Sequence, residues 1–385
     1  MTTATPVLPV QTPGQISDAI GQAGRVLAQG GLVVFPTETV YGLAANAFDA
    51  KALARLNELK ERPAGKQYTL HLGQFEQIER YLPMLSARTS LFLRKALPGP
   101  LTVVSDISSV QWEELCERFS ENELDTLYPD RTVGIRLPDH AAAQALLGQA
   151  DFPVFASSAN VSQQPAPTRV EEAIKNLDRK VDLILDGGQT RYERSSTVVK
   201  LEAGGITVLR EGVLDKGVIE RMQRMQVLFV CTGNSCRSPM AEGICKSMLA
   251  NRIGCSIDKL GEKGYVISSA GTSALGTTSA TPEAIEACLE HGVDISRHQS
   301  RLLTRELIDQ SDRIFVMTRA HRHSVLAIMP QADVKTVLLD DQVDIADPIA
   351  GPLEQYRACA EQIAAALGRR LEELQPTEPE KGAVS

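Results

Sequence analysis

The stretch VLFVCTGNSCRSPMAE at residues 227–242 constrains the fold more than any other part of the chain. Its four leading apolar residues predict a buried strand, the glycine-bearing run predicts a loop, and Pro239 suits the first turn of a helix. Backbone N–H groups of such a loop, together with the helix N-terminus, form a cradle about the size of a phosphate. We therefore predict an anion site between a strand and a helix.

Two side chains of this loop carry chemistry. Cys231 stands at its start, where the positive field of the cradle favours the thiolate, and Arg237 offers a planar fork to phosphate oxygens. The spacing Cys-x5-Arg lets both groups face one ligand. Zinc is a poor alternative because it needs a second Cys/His pair. The remaining alternative is that both cysteines are buried thiols of an α/β core.

Short apolar runs alternate with amphipathic segments along both halves of the chain. Helices are expected at 50–60 and 141–147, among others. Strands are expected at 32–35, 103–104, 133–135, 154–156, 183–185, 197–199, 227–230, 266–268, 313–317 and 334–338. This order is typical of an α/β fold and, in the second half, of a doubly wound parallel sheet.

Length and composition limit the class of protein. A chain of 385 residues is long enough for two domains. No apolar run approaches the ~18 residues of a membrane-spanning helix, so no membrane partner is expected. Seven scattered cysteines and a start unlike a signal peptide predict reduced thiols and a cytoplasmic location. The net charge of -8 leaves only a local groove for nucleic acid.

The second half resembles the low-molecular-weight protein tyrosine phosphatases. The resemblance is carried, in order, by the cysteine loop, SAGT at 269–272, His298, DRIFVMTRAH at 312–321 and Asp347-Pro348. It implies that Cys231 attacks phosphorus, Arg237 holds the transition state and Asp347 protonates the leaving group. The other phosphate-loop residues that it implies are Thr232, Gly233, Asn234, Ser235, Cys236 and Ser238.

Two departures from that family bear on the substrate, which the resemblance implies to be a phosphoprotein. Ile349 follows the Asp-Pro pair where tyrosine-directed members carry an aromatic residue, and Ser235 is small where they carry a bulky aliphatic one. Both predict phosphoarginine rather than phosphotyrosine. Arsenate reduction is disfavoured because residues 289–358 contain no shuttle cysteine. Cys236 either forms a protective disulfide with Cys231 on oxidation or is a packed thiol.

The first half carries a second constellation. GGLVVFPTETVYGLAANA at residues 30–47 has the form strand, turn, helix, with hydroxyls and a carboxylate at the strand's carboxyl end, where α/β sheets place ligands. Three cations follow at Lys60, Arg62 and Lys66; on their own they fit a solvated helix end. The sequence contains no P-loop motif.

Further motifs make this half similar to the short form of the YrdC/Sua5 family, the threonylcarbamoyl-AMP synthases that start tRNA t6A modification. They are Lys-x-Arg at 60–62, PGPLT at 98–102, TVGIR at 132–136, Ser-x-Asn at 158–160, DGG at 186–188 and LREG at 209–212. The resemblance implies that L-threonine, bicarbonate and ATP, with Mg2+, become threonylcarbamoyl-AMP and pyrophosphate. It also implies a tRNA-modifying threonylcarbamoyl transferase machinery as partner. No permanently bound metal or cofactor is expected.

The same resemblance implies roles for individual residues. Contacts to threonine are implied for Thr39, His71, Arg136 and Ser196, and contacts to ATP for Lys60, Arg62, Lys66, Thr132, Ser158, Asn160 and Arg210. The chain departs from the family at Ala166, where a serine is common, and in a longer acidic segment at 110–130. The alternative from another class is a noncatalytic module that binds double-stranded RNA or tRNA.

The expected organisation is an α/β chain of two domains. A YrdC-like twisted α/β sheet domain is predicted at residues 12–213, and a doubly wound, parallel-sheet phosphatase-like domain at residues 225–375. Residues 214–224 are the predicted linker and residues 376–385 the predicted disordered tail. The predicted protein is bifunctional, with nucleotidyl transfer in the first domain and cysteine-dependent phosphatase chemistry in the second.

Overall fold

The structure is a computed structural model that describes residues 4–61, 67–161, 164–202 and 205–374. The chain divides into two compact units, residues 1–223 and 224–385. Both are built from strands and helices, which confirms the predicted α/β class. The predicted tail at 376–385 lies outside the described residues.

The first unit is a mixed sheet with its helices. Its strands are β1 Val7–Pro9, β2 Val33–Phe35, β3 Gly42–Asn46, β4 Thr69–His71, β5 Leu101–Asp106, β6 Thr132–Arg136, β7 Val154–Ser158, β8 Leu183–Asp186, β9 Thr197–Glu202 and β10 Gly205–Arg210. Its helices are α1 Pro13–Ala28, α2 Ala50–Leu59, α3 Gln77–Tyr81, α4 Ala87–Ala96, α5 Ser109–Arg118, α6 Glu121–Leu127, α7 Ala141–Gly148, α8 Val170–Leu177 and α9 Lys216–Met222. Among the described residues the strand order is β1-β8-β2-β3-β7-β4-β6-β5-β9-β10.

The two faces of the sheet differ around β4, β6 and β5. Paired residues of neighbouring strands share a face, and successive residues alternate between faces. On one face Leu70 and Ile135 are buried in a hydrophobic core. On the other face, called the open face below, Thr69, Val104 and Thr132 are half-exposed. The open face is therefore an accessible surface of the sheet on which a ligand can bind.

The segment at 30–47 differs from its prediction. The predicted helix is instead strand β3, which pairs antiparallel with β2 and β7. Gly42 lies against the Phe35 ring, where an added Cβ would come within 2.6 Å of a ring carbon. The backbone partners that β2 and β7 supply on both sides outweigh the helix preference of the alanine-rich run.

The acidic segment at 110–130 belongs to the core of the first unit. It forms α5 and α6, and Leu115, Leu124 and Tyr128 are buried. The hydroxyl of Tyr128 donates to the Tyr81 carbonyl at 2.9 Å, and Trp112 meets the Tyr128 ring edge-on. The acidic side chains of the insertion accompany a buried apolar stripe, so the segment extends the core.

The segment predicted as a linker, 214–224, contains helix α9. Asp215 caps this helix by accepting from the Val218 N–H, and Ile219 is fully buried in the core of the first unit. The Thr197 hydroxyl donates to the Leu214 carbonyl at 2.6 Å. Helix α9 is thus part of the first unit, and the domain limits 12–213 and 225–375 stay predictions.

The second unit contains a parallel sheet. Its strands are β11 Met225–Cys231, β12 Tyr265–Gly271, β13 Arg313–Val316 and β14 Thr336–Leu338, and its helices are α10 Arg237–Ile253, α11 Pro282–Glu290, α12 Arg305–Gln310, α13 Arg319–Ile328 and α14 Leu353–Arg370. Within the described ranges the strand order is β12-β11-β13-β14, with every pair parallel. The predicted doubly wound parallel sheet is confirmed. The order reverses at β11, whose carboxyl end is therefore the expected ligand site.

Candidate functional site

The loop between β11 and α10 lies at this switch point. Cys231 is the last residue of β11, Cys236 is the N-cap of α10, and Arg237 is the first residue of that helix. The helix begins without a side-chain cap, so its N-terminal N–H groups lie at the loop. The structure thus brings the predicted phosphate-loop residues, from Thr232 to Ser238, together around one point.

The sulfur of Cys231 receives two polar contacts. The backbone N–H of Asn234 donates to Sγ at 3.2 Å, and the Ser238 hydroxyl lies 3.0 Å from Sγ. Cys231 is only 3% exposed. The Asn234 N–H, a donor directed at a buried sulfur, stabilises negative charge on it, which favours the nucleophile over the packed thiol.

Asn234 holds the loop in shape. Its φ of 56° is left-handed, a conformation that asparagine tolerates better than most residues. Its side-chain amide donates to the hydroxyls of Ser238 and Ser269 at 2.9 Å each, and its Oδ1 accepts from the Arg301 backbone N–H at 2.9 Å. His298 Nε2 donates to the Asn234 carbonyl at 2.8 Å. Residues distant in sequence therefore fix this left-handed turn.

The end of β12 packs closely against the same loop. An added Cβ at Gly271 would come within 2.5 Å of the Thr232 carbonyl oxygen. The N–H of Thr272 donates to the Cys231 carbonyl and that of Ser273 to the Thr232 carbonyl, both at 2.9 Å. The glycine of the SAGT motif is therefore required by this close approach.

Arg237 and Asp347 lie together at the mouth of the loop. Buried Arg237 donates from Nη1 to the Ile345 carbonyl at 3.1 Å and from Nη2 to Asp347 Oδ2, with the Thr232 hydroxyl 3.4 Å away. The Asp347 side chain is 40% exposed. The two residues predicted to be catalytic, Arg237 and Asp347, thus contact each other.

His321 is a site residue that the sequence analysis missed. Its Nε2 lies 2.9 Å from the Thr232 hydroxyl and its Nδ1 2.9 Å from the Thr318 hydroxyl. Burial, assisted by the Arg237 charge, lowers the pKa of His321 to about 4, so the ring is neutral near pH 7. The sequence indicated a role for His321 only through its position at the end of the DRIFVMTRAH motif.

Cys236 is a packed thiol in this structure. Its sulfur lies 3.6 Å from the Ser235 and Thr281 hydroxyls and 3.8 Å from the Tyr356 hydroxyl. All seven cysteines are free thiols. A disulfide between Cys231 and Cys236 on oxidation stays a prediction.

In the first unit, the Arg136 side chain contacts three residues of the segment that follows β2. Its Nη2 donates to the Thr37 hydroxyl at 3.2 Å, to Glu38 Oε1 at 3.0 Å and to the Thr39 hydroxyl. The other Glu38 oxygen accepts from the Asp139 N–H at 3.0 Å. Glu38 and Arg136 form a buried ion pair, and Glu38 joins the site although the sequence analysis assigned it no ligand.

The residues predicted to contact threonine meet at one end of the open face. His71, Arg136 and Thr102 are direct partners across β4, β6 and β5, and we call these three residues the Arg136 row. The Thr102 hydroxyl lies 2.9 Å from that of Ser196. Because Arg136 also donates to the Thr39 hydroxyl, all four residues predicted to contact threonine lie together. Thr102, which was not predicted, lies among them.

His71 is a neutral member of this row. Burial, followed by the Arg136 charge, lowers the pKa of His71 to about 3. Its Nδ1 donates to the Thr69 carbonyl at 3.0 Å, so Nε2 carries the lone pair. His71 can therefore accept a hydrogen bond and cannot act as a cation at neutral pH.

This burial predicts a pH-dependent stability of the first unit. An unfolded chain protonates His71 below ~6.5 whereas the folded chain does so only near 3, so stability is full above pH 6.5 and falls toward pH 3. We expect the free energy of unfolding to be about 2 kcal/mol lower at pH 5 than at pH 8 from this group. Urea unfolding followed through Trp112, the single tryptophan, measures it.

The matched variants are His71→Gln and His323→Gln, the latter on an exposed histidine. His71→Gln should remove this part of the pH dependence, and His323→Gln should keep it. The same pH dependence in both variants would contradict a buried neutral His71.

Four of the residues predicted to contact ATP lie at or beside the other end of the open face: Lys60, Thr132, Ser158 and Asn160. Thr132 begins β6 four residues before Arg136, which is about 13 Å at ~3.3 Å per residue. The antiparallel register of β4 with β7 places Ser158 at the Thr132 end. Lys60 donates to the Ser158 carbonyl at 2.8 Å and to the Asn160 carbonyl and Oδ1 at 2.6 and 3.0 Å. Lys60 thus holds the Ser-x-Asn turn.

Arg210, also predicted to contact ATP, lies at the Arg136 end. It pairs with Val198 and donates to the Ser196 carbonyl at 2.9 Å. Burial, followed by the Arg136 charge, lowers the pKa of the Arg210 guanidinium. Two further predicted ATP contacts lie outside the described residues: Arg62 and Lys66.

Comparison with known proteins relates this site to a family. Residues 25–212 match the Sua5/yciO/yrdC family model, described as telomere recombination. The threonylcarbamoyl-AMP synthase of Pyrococcus abyssi is 36% identical over 200 residues, 52% of this chain and 56% of that protein. A putative threonylcarbamoyl-AMP synthase of Mycobacterium tuberculosis is 34% identical over 201 residues, 52% of this chain and 87% of that protein. The chain belongs to the threonylcarbamoyl-AMP synthase family.

This threonylcarbamoyl-AMP synthase family member also carries a phosphatase-family domain. Residues 226–379 match the model of low molecular weight phosphotyrosine protein phosphatase. The low molecular weight protein tyrosine phosphatase from T. tengcongensis is 33% identical, over 39% of this chain and 99% of that chain, with a TM-score of 0.35. The chain spans only about half the length of the first curated relatives it matches, 56% and 55%. Among the described residues, no helix is long and apolar enough to cross a membrane.

Proposed function

We propose that the first unit makes threonylcarbamoyl-AMP from L-threonine, bicarbonate and ATP. The threonine amine adds to bicarbonate and water leaves, giving a carbamate; a carbamate oxygen then attacks the α-phosphorus of ATP, and pyrophosphate leaves. The observation that carries this proposal is one open face with the Arg136 row at one end and Thr132 with Ser158 at the other. The ~13 Å between the ends accommodates an amino acid beside a nucleotide.

Each end of the face supplies a different set of groups. Arg136, held by Glu38, presents a guanidinium fork to the threonine carboxylate. The lone pair of His71 Nε2 accepts from the threonine hydroxyl. Ser158 binds the nucleotide from the turn that Lys60 holds. Holding the reactants in one cleft converts a bimolecular attack into an effectively unimolecular one.

The protein residues are compatible with Mg2+ as a companion of ATP. The described part of the chain contains no group of three or more His, Cys, Asp or Glu side chains that could hold a metal ion. Mg2+ needs no such cage, because it binds through substrate phosphates and keeps several waters. When bound with ATP, it neutralises charge on the triphosphate.

Pyrophosphate release by the full chain tests this proposal. Release should require threonine, bicarbonate and ATP together, and mass spectrometry should find threonylcarbamoyl-AMP. A chain that binds ATP but releases no pyrophosphate would contradict the synthase. The competing RNA-binding role predicts an affinity for tRNA that falls steeply with salt, whereas the synthase needs no RNA. On our proposal the product is handed to a threonylcarbamoyl transferase machinery that modifies tRNA.

We also propose that the second unit is a cysteine-dependent protein phosphatase. The Cys231 sulfur attacks phosphorus while the leaving group takes a proton from Asp347, and water then cleaves the S–P bond to release phosphate. The supporting observation is the sulfur beneath the Asn234 N–H and the Ser238 hydroxyl, with Arg237 and Asp347 at the mouth. Arg237 holds the equatorial oxygens during both steps.

Within this activity we propose phosphoarginine as the preferred substrate. Ile349 is 55% exposed, and its N–H donates to Asp347 Oδ1 at 3.3 Å, so an aliphatic side chain stands next to the acid. An aliphatic side chain gives a phenyl ring no aromatic face to stack on. Ser235 is half-buried in the loop and small. Both features suit a long, thin substrate side chain better than a ring.

Two peptides of one sequence, carrying phosphoarginine or phosphotyrosine, decide the preference. We expect faster turnover of the phosphoarginine peptide, and Ile349→Phe should shift the ratio toward phosphotyrosine. Ile349→Val, which keeps an aliphatic side chain, is the matched control and should leave the ratio unchanged. Faster turnover of phosphotyrosine by the unaltered chain would overturn the preference and leave the phosphatase proposal intact.

A further inference from the structure

The His321 ring lies between a helix and the phosphate loop of the second unit. His321 is in the first turn of α13, whose N-cap is Thr318. Ring Nδ1 lies 2.9 Å from the Thr318 hydroxyl, and ring Nε2 lies 2.9 Å from the Thr232 hydroxyl. The ring is buried, whereas Thr232 is exposed. One buried ring therefore connects the start of α13 with the hydroxyl of a phosphate-loop residue.

The two contacts of the ring share three protons. Burial, followed by the Arg237 charge, lowers the pKa of His321, so the neutral ring carries one N–H. The charges of Asp347 and Asp344 oppose this shift without cancelling it. Each threonine hydroxyl brings one further proton. The ring N–H fills one contact and a hydroxyl proton fills the other, so the proton of the remaining hydroxyl points elsewhere.

Burial decides which hydroxyl proton is left over. If Nδ1 carried the hydrogen, the Thr318 oxygen would accept from it and also from the His321 backbone N–H at 3.3 Å, and the Thr318 proton would be left at a half-buried position. If Nε2 carries the hydrogen, Thr318 donates to Nδ1, and the proton left over is that of exposed Thr232. A donor without a partner costs more when it is buried than when it meets water or a ligand. The Nε2–H tautomer is therefore favoured.

In this tautomer two donors occupy the Thr232 oxygen. His321 Nε2–H donates to it at 2.9 Å, and Arg237 Nη2 donates to it at 3.4 Å. Because a hydroxyl oxygen has two lone pairs, Thr232 can offer a third partner only its proton. One oxygen of a bound phosphoryl group can meet both the Thr232 hydroxyl and Arg237 Nη2, since these two groups lie 3.4 Å apart.

We propose that the Thr232 hydroxyl is a further hydrogen-bond donor to the phosphoryl group of the substrate, and that His321 is the positioning residue that directs it there. The proposal rests on the proposed phosphatase function. His321 does not touch the substrate; it donates from Nε2 and so leaves Thr232 its proton to offer. This donor adds to Arg237 and to the loop N–H groups, and it stabilises negative charge on a phosphoryl oxygen.

Binding of inorganic phosphate to the full chain, followed by 31P titration, tests the donor. Thr232→Val keeps the size of an exposed side chain and should raise the Kd for phosphate roughly 10-fold, the effect of one lost hydrogen bond to a charged group. His321→Leu leaves the hydroxyl undirected and should raise the Kd by at least ~3-fold, but by no more than Thr232→Val does. His323→Leu, at an exposed position of the same helix, is the matched control and should leave the Kd unchanged. An unchanged Kd in Thr232→Val would overturn the proposal.

A double-variant cycle separates positioning from a purely structural role of His321. If His321 acts through the Thr232 hydroxyl, adding His321→Leu to Thr232→Val should raise the Kd no further. Two increases that multiply would show that His321 supports the loop independently of that hydroxyl, and would overturn its positioning role. His321→Gln should restore most of the binding, because its amide N–H can take the place of Nε2–H. Failure of this rescue in a folded variant would also count against the proposal.

The tautomer of His321 can be measured in the unaltered chain. The 15N shifts of its ring at pH 7, assigned by comparison with His321→Gln, should show the hydrogen on Nε2. A hydrogen on Nδ1 would overturn the proposal. Phosphate binding that depends on Thr232, in a chain that does not hydrolyse p-nitrophenyl phosphate, would support the donor and refute the phosphatase. Hydrolysis by a chain whose Thr232→Val variant binds phosphate equally well would refute the donor alone.

Discussion

Replacing Cys231 by serine should reduce the hydrolysis of p-nitrophenyl phosphate by roughly 1,000-fold or more. A serine hydroxyl at neutral pH carries no charge, so the contacts that stabilise a charged sulfur have nothing to act on. Phosphate binding should persist, because Arg237 and the loop N–H groups remain. Initial rates measure the loss, and 31P line broadening of inorganic phosphate measures the retained binding.

Cys255→Ser is the matched control for this variant. Cys255 is half-buried beyond the C-terminal end of α10 in the same unit, so its replacement should leave the rate unchanged. Pyrophosphate release by the first unit should be unaffected in both variants. Residual hydrolysis above a few percent in Cys231→Ser would mean that another group attacks phosphorus.

Replacing Arg136 by methionine should disable the first unit and destabilise it. The change leaves the buried Glu38 carboxylate without its cation, which costs about 3–5 kcal/mol. Threonine-dependent pyrophosphate release should fall by at least ~100-fold, since one misplaced binding group costs about that much. Urea unfolding followed through Trp112 measures the stability, and pyrophosphate release measures the activity.

Two further variants separate the expected loss of stability from the expected loss of threonine binding. Arg55→Met removes a surface ion pair, Arg55 with Asp182 at 2.9 Å, and should cost at most ~1 kcal/mol. The double variant Glu38→Met with Arg136→Met removes both buried charges and should regain most of the stability, because apolar pairs replace buried ion pairs well. It should stay inactive. Activity in the double variant would show that the guanidinium does not bind threonine.

The cysteine loop was predictable because its chemistry is local. Cys231, Arg237 and the glycine between them are close in sequence. A strand that ends at Cys231 and a helix that begins at Arg237 bring all three to the same loop. The four parallel strands of the second unit were predicted for a similar reason, since each is a short apolar run bounded by turn residues. His321 was not, because its contact with Thr232 crosses 89 positions.

The first unit was less predictable. The run after Phe35 has a composition typical of a helix, but it forms strand β3. Strands β2 and β7 supply its backbone hydrogen-bond partners, and the residues of the run do not themselves indicate those partners. The mixed order of the sheet cannot be read from apolar runs, which carry no information on strand direction. The placement of Arg210 at the threonine end follows from its pairing with Val198.

Residue identity and spacing predicted an anion-binding loop and a doubly wound second half, because short-range geometry links a strand, its loop and the following helix. The residue types of a synthase came from the resemblance to a family. Long-range strand pairing decided which groups lie on the Arg136 row and that Glu38 is buried against Arg136. Such pairing is set by the packing of the whole sheet, so no single segment of the chain encodes it.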